Sequence, residues 1–414
     1  MVVGLATKLE ALVSNLNRPR VFERIIAIRK AAAERLAEWS HGQYLAARAS
    51  IERLIEQGRH AEAVRAAQAL HLKAESAGDI AYAGAAYDGA MAQITLGHAL
   101  QMSGDAEAGI PHLEASRERF ERLNKPRMAA GALTQKADCL TDLGRYDGAA
   151  EAYEQAIGMF KKVNDPRSVA ASKNQLAAVR SHQKKYLEAL DLYAEARDVF
   201  EHLNELAAIA AVWHQIGLVY EKTRGYEAAE DAYQKSLGIE IQRGNRSGEA
   251  ISLGQLGNPY SNMGRREDAV RFYSQAADIA VQLGDLRSQG AIRNNIADEL
   301  VKLGRYDEAR REIERTIGCL KPFGHAGQIW KSFGILSNLE RAVGNQPAAL
   351  EARNQAIAAY LAYRRDGGAA QRETTQLVEM VNQDPAAARA ALDDPDIDYG
   401  LAAEITLLLE RLDP

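Results

Sequence analysis

Large apolar residues stand at Leu176, Ile216, Leu256, Ile296 and Leu336, one every forty residues, and each is followed by a small residue: Ala177, Gly217, Gly257, Ala297 and Ser337. Four residues after the large column come Leu140, Tyr220, Tyr260 and Leu300, which continues one apolar stripe at helical spacing. A second stripe carries Tyr153, Tyr193, Tyr233 and Tyr273, with Ala156, Ala196 and Ala276 three residues further on. Two apolar faces within each period predict two amphipathic helices per repeat. A small residue beside a large one lets a partner helix approach closely, so these columns read as the buried face of a repeat rather than as a stacking ladder for a cofactor or a nucleic acid.

Punctuation recurs at the same period. Turn signals fall at Gly104, Gly144, Lys184, Arg224, Gly264, Gly304 and Gly344, in motifs such as Gly144-Arg-Tyr-Asp-Gly-Ala and Gly304-Arg-Tyr-Asp-Glu-Ala, and an earlier copy starts at Gly58. Twenty residues after each signal from Gly104 to Gly304 comes a second mark: Asn124, Asn164, Asn204, Gly244, Gly284 and Gly324. Asparagine and glycine tolerate the left-handed backbone that closes a helix. Pro126, Asp165-Pro166 and Asp285 then supply cap and first-turn signals for the next helix. The pattern therefore predicts an all-α chain of about eight helical hairpins. No hairpin buries its face alone, so both ends need caps. Residues 1–40, with two helices separated at Asn17-Arg-Pro19, are expected to cap one end. Residues 369–414, with short helices starting at Asp384-Pro385 and Asp394-Pro395, are expected to cap the other.

A glycine before an aromatic, an alanine-containing second helix and a small residue seven positions before that glycine together resemble the tetratricopeptide repeat. The resemblance covers roughly residues 41–363, and Gln255-Leu-Gly-Asn-Pro-Tyr260 is its most family-like first-helix stretch. The usual period is about 34 residues, so a period of 40 extends both helices. Long-period arrays of this kind are similar to those of kinesin light chains, Pins-type adaptors, Rap-type peptide receptors and the sensor arms of bacterial regulators. The resemblance implies a right-handed α-solenoid whose first helices line a concave surface. Three residues depart from the pattern: Lys136 in the large apolar column, and Arg180 and Glu340 four positions beyond it. Pro259 falls inside a first helix, where a lost backbone bond predicts a kink.

On the implied concave face one polar column stands out. Gln135, Gln175, Gln215 and Gln255 repeat at forty, Asn295 follows, and Asn174, His214, Asn258, Asn294, Asp298 and Asn338 surround them. Amides offer donors and acceptors together, which suits gripping an extended peptide backbone. They suit equally well hydrogen bonds between adjacent helices that hold the repeats in register. Arg127, Arg167 and Arg287 recur in phase in the inter-repeat turns and read as loop-edge charge or as an acidic partner's site.

Composition narrows the function. Aromatics are 6% and prolines ten, which leaves long helices unbroken. The net charge of −5 argues against a dominant nucleic-acid surface. Residues 366–414 carry eleven acids and three arginines, whereas residues 1–75 carry twelve bases and eight acids. This opposition raises the expectation that Asp393-Asp-Pro-Asp-Ile-Asp398 folds back on the basic half. Cys139 and Cys319 lie far apart and suggest neither a disulfide framework nor a metal knuckle, which fits a reducing cytoplasm. The start, Met1-Val-Val-Gly-Leu-Ala-Thr-Lys8, lacks an export pattern, and no stretch approaches the ~18 apolar residues of a membrane span. The nine histidines form no His-Glu-x-x-His pair, and phosphate-cradling and nucleophile-elbow motifs are missing.

The expectation is a cytoplasmic, non-enzymatic scaffold or adaptor that binds a protein or peptide segment, with no cofactor, metal, nucleic acid or membrane. The abundance of alanine and arginine is compatible with a bacterial source. Two alternatives are a ligand-sensing arm of a signalling protein and an enzyme whose site is assembled from several repeats.

Overall fold

The computed structural model describes residues 40–78, 84–365, 379–392, 405, 408 and 409. Residues 1–39 of the predicted cap 1–40 and the acidic stretch Asp393 to Asp398 lie outside them, as does the helix start at Asp394-Pro395. All regular structure among the described residues is helical. The chain divides into two compact units, Met1–Glu205 and Leu206–Pro414.

In the N-terminal unit four hairpins follow one another: α1 (His41–Glu56) with α2 (His60–Ala77), α3 (Ala85–Met102) with α4 (Ala106–Arg122), α5 (Pro126–Asp142) with α6 (Tyr146–Lys162), and α7 (Pro166–His182) with α8 (Tyr186–His202). The C-terminal unit holds four more: α9 (Leu206–Lys222) with α10 (Tyr226–Gln242), α11 (Arg246–Asn262) with α12 (Arg266–Leu283), α13 (Leu286–Lys302) with α14 (Tyr306–Leu320), and α15 (Trp330–Ala342) with α16 (Gln346–Arg365). A short helix, α17 (Pro385–Ala391), packs on α16, and Asp384 caps it by accepting from the Ala387 N–H at 3.1 Å. Within each unit every hairpin packs against the next, which is the stacking of an α-solenoid.

The turns follow from backbone chemistry. Every described punctuation residue has a positive φ, including Asn124, Asn164 and Asn204 and, less expectedly, Lys184 (63°) and Arg224 (60°). The left-handed residue folds the chain back onto the carbonyls that the helix end leaves open. At the first such turn of α5–α6, the Gly144 N–H reaches the Thr141 carbonyl at 2.9 Å and the Arg145 N–H reaches the Leu140 carbonyl at 2.8 Å. Asp165, Asn245 and Asp285 then cap α7, α11 and α13 by accepting from the N–H three residues on.

The two columns meet as the pattern predicts. Leu176, Leu256 and Ile296 are buried, and so are Tyr153, Tyr193, Tyr233 and Tyr273. Glycine is required where the rings approach: a Cβ on Gly217 would stand 2.4 Å from Tyr233 Cε1, and one on Gly257 would stand 2.2 Å from Tyr273 Cε1. The tyrosine hydroxyls are not idle. Tyr153 donates to Asp138, Tyr233 donates to Glu221 at 2.8 Å and Tyr273 donates to Asn258 at 2.7 Å, so each ring bolts its second helix to the first.

The departures from the pattern turn out to be ion pairs that link helices. Lys136 reaches Glu114 at 2.5 Å, Arg180 meets Glu154 and Glu188, and Glu340 meets Arg310. Charge replaces apolar contact at these positions and keeps the neighbouring hairpin in place. Pro259 does not interrupt its helix, because α11 runs on to Asn262 and the Pro259 carbonyl still accepts from the Met263 N–H at 2.9 Å.

One stretch breaks the period. After α14 the chain enters a 3₁₀ segment, Lys321–Gly327, in which Gly324 has φ 55° and ψ −133°, and Gln328 then takes φ 52°. Forty residues beyond the start of α13 at Leu286 would be residue 326, yet α15 begins only at Trp330. The first turn of a first helix is therefore missing there, and α14 packs less closely on α15 than α10 does on α11 or α12 on α13.

Candidate functional site

The amide column divides between the two units. In the N-terminal unit Gln135 and Asn174 are half-buried, and their oxygens, Oε1 and Oδ1, meet no donor among the described residues, while Gln175 is exposed. In the C-terminal unit the His214 ring packs on Tyr233 at 5.7 Å, and burial lowers its pKa, so it is a neutral packing residue. Gln215 is half-exposed, and Asn338 is exposed. Asp298 pairs with Lys302 at 2.7 Å on its own helix.

Four column residues gather around one cavity. Gln255 and Asn258 of α11, with Asn294 and Asn295 of α13, line a space of about 470 Å3 that opens between these two first helices. Their hydrogen bonds give them different tasks. The Asn258 amide donates to Gln255 Oε1 at 2.9 Å and accepts from Tyr273, which fixes both side chains on the wall. Asn294 is buried and accepts from Ser332 Oγ of α15 at 2.9 Å, so it ties one first helix to the next instead of facing a ligand. Asn295 is exposed and presents its amide to the opening. The two meanings open to the amides are thus both realised, at different residues.

The rest of the lining is apolar or basic. Ile251 and Leu283 are 55% and 49% exposed, and with Ile292 and Leu320 they form an aliphatic surface. Arg287, Gln328 and Lys331 complete the rim, and the Lys331 ammonium lies over the Trp330 ring at 5.3 Å. Asp285 also lines the cavity, but its carboxylate accepts from the Ser288 N–H at 3.0 Å, and the Ser288 hydrogen bonds hold its pKa low. Leu320, Gln328 and Lys331 belong to the stretch where the repeat loses its period.

Sequence reasoning named the amides but missed Ile251, Leu283, Ile292, Leu320 and Lys331. Lys321-Pro322-Phe-Gly324 carries the signal that would have pointed to Leu320 and Lys331, because a proline two residues past a helix ends the regular turn. The in-phase arginines also resolve. Arg127 pairs with Asp165 at 2.5 Å and Arg167 with Glu205 at 2.6 Å, each reaching the turn 38 residues on. They are clamps between repeats. Arg287 has no such acid at the equivalent place, which is His325.

Among the described residues no three or more His, Cys, Asp or Glu side chains are grouped to hold a metal, and no helix is long and apolar enough to cross a membrane. Burial pushes the Cys139 thiol up to about 12, so it stays protonated and inert near neutral pH.

Residues 90–162 and 168–240 match one tetratricopeptide repeat family model, and residues 252–287 match another. No curated protein matches the chain. Several solved structures share its fold. A signal transduction ATPase with numerous domains and a tetratricopeptide repeat sensor, PH0952 from Pyrococcus horikoshii, aligns with TM-score 0.59 and 16% identity over 86% of this chain, and the chain spans 52% of that protein. The quorum sensor NprR from B. thuringiensis, in its apo form, aligns with TM-score 0.54 and 13% identity over 86% of this chain and 97% of its own. A Rap protein complexed with Competence and Sporulation Factor aligns with TM-score 0.50 and 14% identity over 89% of this chain and 99% of its own.

Proposed function

We infer the function of this chain from what it is, a tetratricopeptide repeat protein, and we propose that its C-terminal unit binds a peptide, or a segment of another protein, in the cavity between α11 and α13. The observation that carries this reading is the pairing of exposed aliphatic side chains with amides of two first helices. Ile251 and Leu283 offer apolar surface to a side chain, and Gln255 and Asn295 offer donors and acceptors to a backbone. The wall is preformed by the Tyr273–Asn258–Gln255 chain of hydrogen bonds, which lowers the ordering cost of capture. The Rap protein, similar in fold, was solved with a factor bound. The role is that of a scaffold or adaptor without chemistry of its own, and without nucleic acid as a ligand.

A second reading is favoured by the likeness to PH0952, whose repeats are described as a sensor. Here the same cavity reports a peptide to a signalling partner. Affinity selection of random twelve-residue peptides on the whole chain, followed by calorimetric titration, tests the shared claim. Selected peptides should bind the intact chain and lose at least about tenfold in affinity, roughly 1.4 kcal/mol, in an Ile251→Glu variant of unchanged helicity. Equal binding to the variant would place the site elsewhere, and the proposal would fall.

A further inference from the structure

Arg287 breaks a rule that its sister residues keep. Arg127 and Arg167, at the same place in earlier repeats, each clasp an acid 38 residues on, Asp165 and Glu205. The residue 38 beyond Arg287 is His325, and no carboxylate of the described residues forms a salt bridge with Arg287. Its guanidinium lies instead over the Phe323 ring, 4.9 Å from the centroid. A contact with a ring uses none of the guanidinium N–H donors, which stay available to an acceptor. Asp285, two residues away, attracts it at longer range only, since that carboxylate is spent on capping α13 through Ser288.

The charge of the cavity points the same way. Its ionisable lining is one capped acid, Asp285, and two bases, Arg287 and Lys331, set beside the aliphatic surface of Ile251 and Leu283. An aliphatic wall alone would select any apolar side chain, whereas a guanidinium at its edge adds a requirement for a planar anion. We propose that the peptide bound in this cavity presents a carboxylate to Arg287 immediately beside an aliphatic side chain seated against Ile251 and Leu283. The inference rests on the peptide-binding reading above. A carboxylate fits better than a phosphate, because the guanidinium edge of Arg287 presents parallel N–H donors that match a planar two-oxygen anion.

The carboxylate comes from the peptide's C-terminus or from an Asp or Glu side chain, and the test separates these sources. Four pools of random twelve-residue peptides are presented to the full chain: free or amidated at the C-terminus, each with or without Asp and Glu. Binders should come from pools that contain a carboxylate and not from the amidated pool lacking Asp and Glu, and the richer pool names the source. Arg287→Gln should weaken the selected peptides at least about tenfold, Arg287→Lys less so, and Arg127→Gln not at all, with circular dichroism unchanged in each.

If carboxylate-free peptides bind equally well and Arg287→Gln changes nothing while Ile251→Glu abolishes binding, the cavity stands and the carboxylate is refuted. If no pool yields a binder, the peptide reading itself falls and takes this inference with it.

Discussion

The Tyr273 hydroxyl donates to Asn258 Oδ1 at 2.7 Å, and Asn258 in turn donates to Gln255 Oε1 at 2.9 Å. A residue of the repeat core thereby sets the position of two residues on the cavity wall. Tyr273→Phe removes the first bond and frees both amides. We expect a stability loss of about 1 kcal/mol and a severalfold weaker affinity for selected peptides. Chemical denaturation and titration on the same variant check both, and unchanged affinity would mean that the amides do not touch the ligand.

The repeat architecture was legible because one period governs everything that makes it. The Leu256–Gly257 step, the Tyr273 ring that packs on it and the left-handed Gly264 after it can each be found by counting forty from a neighbour. The site was legible only in part. Gln255, Asn258 and Asn295 were on the amide column, but the column does not tell which amide is already engaged, and Asn294 is, by Ser332. The cavity was not legible, since part of its lining, Leu320, Gln328 and Lys331, lies where the period is lost, and counting by forty carries no information about the place where the count fails.

Close packing at the small column predicts a steep cost for one methyl group. Gly257→Ala puts a Cβ 2.2 Å from Tyr273 Cε1, so the ring must shift, and should cost about 1–3 kcal/mol. Because the displaced ring also carries the Asn258 bond, peptide affinity should fall with stability. Thermal unfolding read by circular dichroism measures the loss.

Lys184 holds a left-handed backbone, φ 63°, at a turn where sister repeats use Gly144 or Gly264. That conformation costs an L-residue about 1–2 kcal/mol, so Lys184→Gly should raise stability by about 1 kcal/mol in urea denaturation. The opposite change, Gly144→Ala, should lower it by a similar amount, since nothing crowds its Cβ and only the backbone is strained.

Asp138 supplies a pH signature. Burial raises its pKa from 3.8 to about 6, against the opposing hydrogen bond from Tyr153. The folded chain therefore holds this proton in the window from about 4 to about 6, where the unfolded chain has lost it. This group's contribution thus becomes more favourable as pH falls from 6 toward 4, and above 6 it is a penalty of order 2–3 kcal/mol. Asp165, Asp285 and Glu299, whose pKa values are lowered, contribute with the opposite sign. The difference between the wild-type chain and Asp138→Asn isolates the effect: the variant should be the more stable at pH 7, with the gap closing by pH 4. A gap independent of pH would contradict the assignment.

The central claim, that the cavity between α11 and α13 receives the ligand, is tested most directly by a selected peptide whose aliphatic residue is replaced with photoleucine. After irradiation with the full chain, mass spectrometry locates the cross-link. The account predicts attachment at Ile251, Leu283 or Ile292, lost when unlabelled peptide competes. Attachment in the N-terminal unit, or at an exposed apolar residue outside the cavity such as Ile241, would contradict it.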